Sequence, residues 1–145
     1  MTLGKKAEYG LKALYYLAFV KVGERASVSE LGTQLEVPHR FLEQILLALK
    51  RGGILLSQRG IEGGYRLARG PEEISLLDVL RILDEKHFGP DVPGRAEPDA
   101  PTRFLGNVYG RIESMLADTS LSDLLDSPLR QMLDQQRNRS FVYQI

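Results

Sequence analysis

Residues 27–69 read SVSELGTQLEVPHRFLEQILLALKRGGILLSQRGIEGGYRLAR, and the order of signals along them decides the fold. Ser27, with Glu30 three residues on, makes a capping box. The Ser hydroxyl accepts from the Glu30 N–H and the Glu carboxylate reaches back, starting a helix that turns Leu31 and Leu35 inward. Pro38 fits the first turn of a second helix, where no N–H is needed. Phe41, Leu42, Ile45, Leu46 and Leu49 give that helix an apolar stripe, and Gly52-Gly53 ends it. Its other face carries His39, Arg40, Glu43, Gln44, Ala48 and Lys50. Ile54 to Arg59 then reads as a strand, and Tyr65 to Ala68 as its partner across a loop holding Gly60, Gly63 and Gly64. Helix, turn, helix and hairpin without a gap is the order of a winged helix-turn-helix.

Working outward, Leu11, Leu14, Tyr15, Leu17 and Ala18 recur at helical spacing between Lys6 and Val22, predicting a first helix that Gly23-Glu24-Arg25 breaks. Ser75-Leu76-Leu77-Asp78 is another capped start, and Leu76, Leu77, Val79, Leu80 and Leu83 carry a helix to about Lys86. Phe88 to Pro101 then includes Pro90, Pro93, Pro98, Gly89 and Gly94, which predicts a mobile linker. Beyond it, Leu105, Val108, Tyr109, Ile112 and Leu116 form a stripe on a helix of about four turns. Two partners are open to that stripe, the first helix of the same chain and a second copy, and the second copy is expected. Ser120-Leu121-Ser122-Asp123 starts a last helix interrupted around Pro128, and Phe141 to Ile145 alternates like a strand.

The expected class is mainly α with a small β-hairpin wing, a winged helix-turn-helix plus a long dimerisation helix. Residues 1–87 are expected to form the DNA-binding domain, 88–101 a Pro/Gly-rich linker, and 102–145 the dimerisation helix and C-terminal segment.

Composition narrows the function. The 145 residues balance 19 Lys and Arg against 19 Asp and Glu, yet the charge is divided along the chain. Residues 1–69 hold 11 Lys and Arg against 6 Glu, a net of +5, and residues 70–145 hold 8 against 13, a net of −5. The basic half coincides with the helix-turn-helix and is suited to a polyanion, with steep salt dependence as counterions are released. Zero cysteines exclude disulfides, thiolate metal sites and cysteine nucleophiles. Two histidines, no phosphate loop and scattered carboxylates offer no catalytic constellation, so an enzyme is not expected. With no secretory signal and no apolar run for a membrane span, a cytoplasmic protein without membrane contact is expected.

The chemistry of the exposed face suits double-stranded DNA. Gln44 can pair with adenine N6/N7 and Arg40 with guanine N7/O6, each giving about 1–3 kcal/mol of base discrimination. His39 can donate to a phosphate or base edge, or simply be solvated at the helix start. Glu43 can accept from cytosine N4, repel wrong sequences, or be a solvated surface residue. Arg59, at the wing tip, can enter a narrowed minor groove or bind a phosphate. Lys5, Lys6, Tyr9, Ser27 and Ser29 are candidates for backbone positioning. The residues that frame them, Pro38, Phe41 and Lys50 on the helix and Gly60, Gly63, Gly64 and Tyr65 in the wing, are counted with the interface. A protein-interaction module that keeps the winged helix as a scaffold is the alternative function.

These residues resemble the Rrf2 family of bacterial transcriptional regulators. The likeness rests on Glu8-Tyr9-Gly10-Leu11-Lys12-Ala13-Leu14-Tyr15-Tyr16-Leu17-Ala18, Phe41-Leu42-Glu43-Gln44-Ile45-Leu46, Arg59-Gly60-x-x-Gly63-Gly64-Tyr65-Arg66-Leu67-Ala68-Arg69 and Ile74-Ser75-Leu76-Leu77-Asp78-Val79-Leu80. It implies a homodimer in which the later helix crosses its symmetry mate, Gln44 and its neighbours in the major groove, and the Arg59 wing in the minor groove. Val37 replaces the Ser usual before the helix proline, removing a side-chain cap, and Glu8 stands where a basic residue is common. Many relatives hold an iron–sulfur cluster on three cysteines in the interval that here runs from Phe88 to Pro101. This interval has no cysteine and His87 alone cannot make a site, so no cofactor is expected. The chain resembles the cluster-free branch, whose cysteine-metabolism repressors share an aromatic-aliphatic C-terminus like Phe141 to Ile145 and respond through an enzyme partner. Repression and an enzyme or small-molecule effector are what that resemblance implies.

Overall fold

A computed structural model describes residues 3–89 and 97–126, together with Gln135. The first helix, α1 (Lys5–Tyr15), continues over Tyr16–Val20 as a wider turn that closes with Lys21 N–H donating to Tyr16 C=O at 2.9 Å. Then come α2 (Val28–Leu35), α3 (His39–Arg51), β1 (Leu55–Gln58), β2 (Gly64–Leu67), α4 (Leu76–Leu83), the single-turn α5 (Glu85–Phe88) and α6 (Ala100–Ala117). Short 3₁₀ turns cover Pro71–Glu73 and Leu121–Asp126. The mainly helical class with one hairpin, expected from the sequence, is what the chain adopts.

The core lies where α1, α2, α3 and α4 converge. Leu14, Leu31, Leu42, Ile45, Leu46, Leu49 and Val79 are completely buried. Burial of a Leu or Ile side chain stabilises by about 1.5–3 kcal/mol, so the apolar stripe of α3 is what fixes its roll about its own axis. That helix ends as a Schellman motif. Gly53 takes φ +78°, Ile54 N–H donates to Leu49 C=O at 2.9 Å, and Gly53 N–H donates to Lys50 C=O at 3.0 Å. The turn sends Ile54 straight into the core.

The hairpin pairs β1 antiparallel with β2, Leu55 opposite Leu67 and Gln58 opposite Gly64. A third backbone segment joins it. Ala26 and Tyr65 exchange both hydrogen bonds, Ala26 N–H to Tyr65 C=O at 2.9 Å and Tyr65 N–H to Ala26 C=O at 2.8 Å. The wing is therefore anchored to the residue that precedes the cap of α2. Gly64 makes this approach possible: its φ is +142° and a Cβ there would stand 2.5 Å from the Ala26 carbonyl oxygen.

Several sequence expectations are refined. Ser27 does cap α2, its hydroxyl accepting from Glu30 N–H at 3.1 Å, but only half of the expected box forms. The Glu30 carboxylate instead accepts from the Tyr16 hydroxyl at 3.2 Å and pairs with Lys21 Nζ at 3.0 Å, because the wide turn after α1 brings both within reach. Pro38 is the N-cap of α3 rather than a residue of its first turn, and no side chain caps that helix. Val37, in the position before it, is buried. Ser75 caps α4 as expected, accepting from Asp78 N–H at 3.1 Å.

The expected linker is shorter at both ends, since α5 reaches Phe88 and α6 starts at Ala100, with Asp99 capping it through Thr102 N–H at 2.9 Å. Its predicted mobility falls largely on residues 90–96, outside the described residues. Helix α6 packs along α4 of its own chain, with Arg81 and Glu113 at 4.0 Å, and not along α1. The chain then returns, Leu76 N–H donating to Thr119 C=O at 2.8 Å and Leu121 N–H to Ile74 C=O at 2.9 Å. Pro128 and the strand-like Phe141 to Ile145 lie outside the described residues. Among those described, no helix is long and apolar enough to cross a membrane.

Replacing Gly64 by Ala is expected to destabilise the fold by about 2 kcal/mol, the cost of backbone strain at a positive φ plus the clash with Ala26. Thermal or denaturant unfolding of G64A beside the parent protein measures it, and a loss no greater than that of G4A, whose Cβ meets open space, rejects the anchoring role.

Candidate nucleic-acid interface

Because Leu42, Ile45, Leu46 and Leu49 face the core, the helical period turns the intervening residues outward. His39, Arg40, Glu43, Gln44, Lys50 and Arg51 are all exposed on α3, as is Pro38 at its start. Ala48, read from sequence as part of that face, is half-buried. Phe41 is also half-buried and packs edge to face on Tyr9, ring centroids 5.6 Å apart, so its contribution is to join α3 to α1. Lys5 and Lys12 flank the same Tyr9 ring, each ammonium 5.7 Å from its centroid. Lys6 and Ser29 are exposed on their helices, while the exposed Ser27 hydroxyl is engaged as the α2 cap.

In the wing, Arg59, Gly60 and Ile61 are exposed. Gly63 and Gly64 are half-buried, and Tyr65 packs on the core while its backbone grips Ala26. The wing therefore divides into an accessible tip at Arg59-Gly60 and a structural base at Gly63 to Tyr65.

Charge is distributed unevenly between paired and unpaired cations. Glu8 engages both Lys5 at 3.4 Å and Lys12 at 3.5 Å, and the hydrogen bond and charge of Lys5, followed by those of Lys12, hold its carboxyl below the usual range. Lys21 is raised above its ordinary value by its hydrogen bond to Glu30 and that carboxylate's charge. The Tyr16 phenol is raised first by burial and then by Glu30. By contrast, none of the ion pairs among the described residues engages Arg40, Lys50 or Arg51 on α3, or Arg59 or Arg66 in the hairpin. Exposed guanidinium and ammonium groups without carboxylate partners attract phosphate and can donate to base edges.

The geometry adds two residues to the face that the sequence reading passed over. Leu47 is 37 % exposed and follows Gln44 by three residues and Glu43 by four, and Arg51 extends the same row by one turn. Continuing the helical count beyond Gln44 finds both. Leu47 is hidden in a leucine run, Leu46-Leu47, of which only one member can face the core.

The sequence model of the Rrf2 family, described as an iron-dependent transcriptional regulator, matches residues 3–127. A Mycobacterium tuberculosis protein named for the HTH-type transcriptional regulators is 33% identical over 139 residues, 89% of this chain and 84% of that protein. The HTH-type transcriptional regulator IscR of Cereibacter sphaeroides is 28% identical over 140 residues, 90% of each chain. Among solved structures, CymR, the global cysteine regulator of B. subtilis, superposes with a TM-score of 0.70 at 26% identity, covering 87% of this chain and 97% of that one. The family description mentions iron, and the donor set here does not fit a cysteine-ligated cluster, because the chain contains no cysteine. Winged-helix architecture, the exposed cationic face of α3 and the family match over residues 3–127 agree: the chain belongs to the Rrf2 family of transcriptional regulators.

Proposed function

We propose that this regulator works as a homodimeric, sequence-specific repressor that sets α3 in the DNA major groove and the Arg59 tip in the neighbouring minor groove, without an iron–sulfur cluster. The observation that carries this reading is the set of cations on α3 and the wing that no carboxylate among the described residues engages, on a helix whose opposite face is wholly committed to the core. Arg40 and Gln44 discriminate guanine and adenine, Glu43 penalises mismatched sequences, and His39 and Lys50 bind flanking phosphates. Lys5, Lys6, Tyr9 and Ser29 position α1 and α2 on the backbone. The winged half, residues 1–87, is the DNA-binding domain.

Dimerisation through residues 102–145 is supported by the outer face of α6. Leu105, Val108, Tyr109 and Ile112 are exposed there beside Phe104 and Met115, while Leu116 packs on the core. A contiguous apolar face of this kind on a solvent-facing helix calls for a partner, and a two-fold mate would give two reading helices suited to a two-fold operator. With no thiolate to sense iron, the effector acts through a protein or small-molecule partner, as CymR's designation as a cysteine regulator suggests by analogy.

Titration against specific and competitor duplexes at several salt concentrations tests the reading as a whole. Replacing Gln44 by Ala is expected to lower discrimination by about tenfold or more while leaving non-specific binding nearly unchanged; a uniform loss for every sequence rejects its role as reader. For Arg59→Ala, the expected loss is largest on operators with a narrow A/T-rich minor groove, and indifference to groove composition excludes insertion. Introducing a charge as Ile112→Asp is expected to convert a dimer into monomers in sedimentation, with the circular dichroism spectrum retained; an unchanged sedimentation coefficient removes α6 from the interface.

A further inference from the structure

Leu47 is out of character on its helix. Four other apolar residues of α3, Leu42, Ile45, Leu46 and Leu49, are completely buried, whereas Leu47 is 37 % exposed. At helical spacing its neighbours are Glu43, Gln44, Lys50 and Arg51, with Arg40 two turns back along the same face, all of them exposed. An aliphatic side chain thus stands inside a ring of polar and charged ones, on the face that the functional reading turns toward the bases. It is left more open to water than any of those four, and the hydrophobic effect disfavours that exposure.

Only one feature of a base pair in the major groove is apolar. Adenine, guanine and cytosine present acceptors and amino donors, whereas thymine adds its C5-methyl group. Gln44 beside Leu47, and Arg40 further along the face, serve the polar edges, and a branched aliphatic group with no hydrogen-bonding capacity would leave those edges unsatisfied if it were set against them. We propose that Leu47 is a specificity-determining residue, selecting a thymine by packing on its methyl group next to the base pairs read by Arg40 and Gln44. This rests on α3 being the groove-facing helix and supplies an apolar contact that the polar readers alone cannot make.

The test separates the two claims. Duplexes bound by the wild-type protein are first selected from a random pool, and each thymine of the selected site is then exchanged singly for uracil, which deletes only the methyl group. Wild-type protein is expected to lose about fourfold in affinity at one thymine of each half-site, the effect of one buried methyl. Leu47→Ala, an exposed position at which folding is retained, is expected to bind the thymine and uracil duplexes equally there while keeping wild-type preferences at the remaining positions. A wild-type protein indifferent to every thymine-to-uracil exchange, or a variant that keeps the full penalty, overturns the role of Leu47 while the selected site still upholds sequence-specific binding of DNA. If no sequence is enriched from the pool, both fail together.

Discussion

The pair of hydrogen bonds between Ala26 and Tyr65 is the constraint on which the working surface depends. It links two segments far apart in sequence, the entry to α2 and the inner strand of the wing, and it does so at main-chain distance. It adds to the packing of Leu55, Tyr65 and Leu67 on the core, and a hairpin of two four-residue strands is marginal on its own. Gly64 is what allows the backbones to come so close. With the wing tied to the start of the helix-turn-helix, the base of the hairpin is held in a fixed place relative to the entry of α2.

Electrostatics sorts the cations into two populations. Lys5, Lys12 and Lys21 are tied to Glu8, Glu24 and Glu30, and Tyr16 joins the last of these, so their charge is partly neutralised within the protein. Those on α3 and the wing face solvent with no such partner among the described residues. Phosphate contact by the second population requires no internal pair to break, which lowers the cost of binding. The acidic C-terminal half contributes Arg81–Glu113, a partly exposed pair between α4 and α6 whose worth is small beside the apolar packing around it.

Helix α6 is less independent than a tethered arm. Its end returns to the winged body through the Thr119, Leu121, Ile74 and Leu76 backbones, and Leu121 and Ile74 are fully buried. A partner that grips the outer face of α6 therefore acts on an element fastened to α4, and α4 in turn packs on α3. That is a continuous path of packed elements from the apolar face to α3.

Local sequence determined the elements themselves. Capping at Ser27 and Ser75, the Gly52-Gly53 stop, the apolar period of α3 and the glycine-rich hairpin are signals written within one or two helical turns, and each started or ended an element where expected, although the helix that Ser75 opens stops at Leu83, short of the expected Lys86, with the non-helical Asp84 between it and α5. The polar residues of α3 were legible for the same reason, since burying Leu42, Ile45, Leu46 and Leu49 forces Arg40, Glu43 and Gln44 outward. What tertiary structure alone decided were the choices among competing partners. Glu30 abandons the Ser27 N–H for Tyr16 and Lys21, the base of the wing pairs with Ala26, and α6 lies on α4 rather than α1. It also decided which leucine of Leu46-Leu47 enters the core. Local periodicity cannot rank such partners, because the energies that separate them come from contacts between different elements, which exist only once the chain has closed on itself.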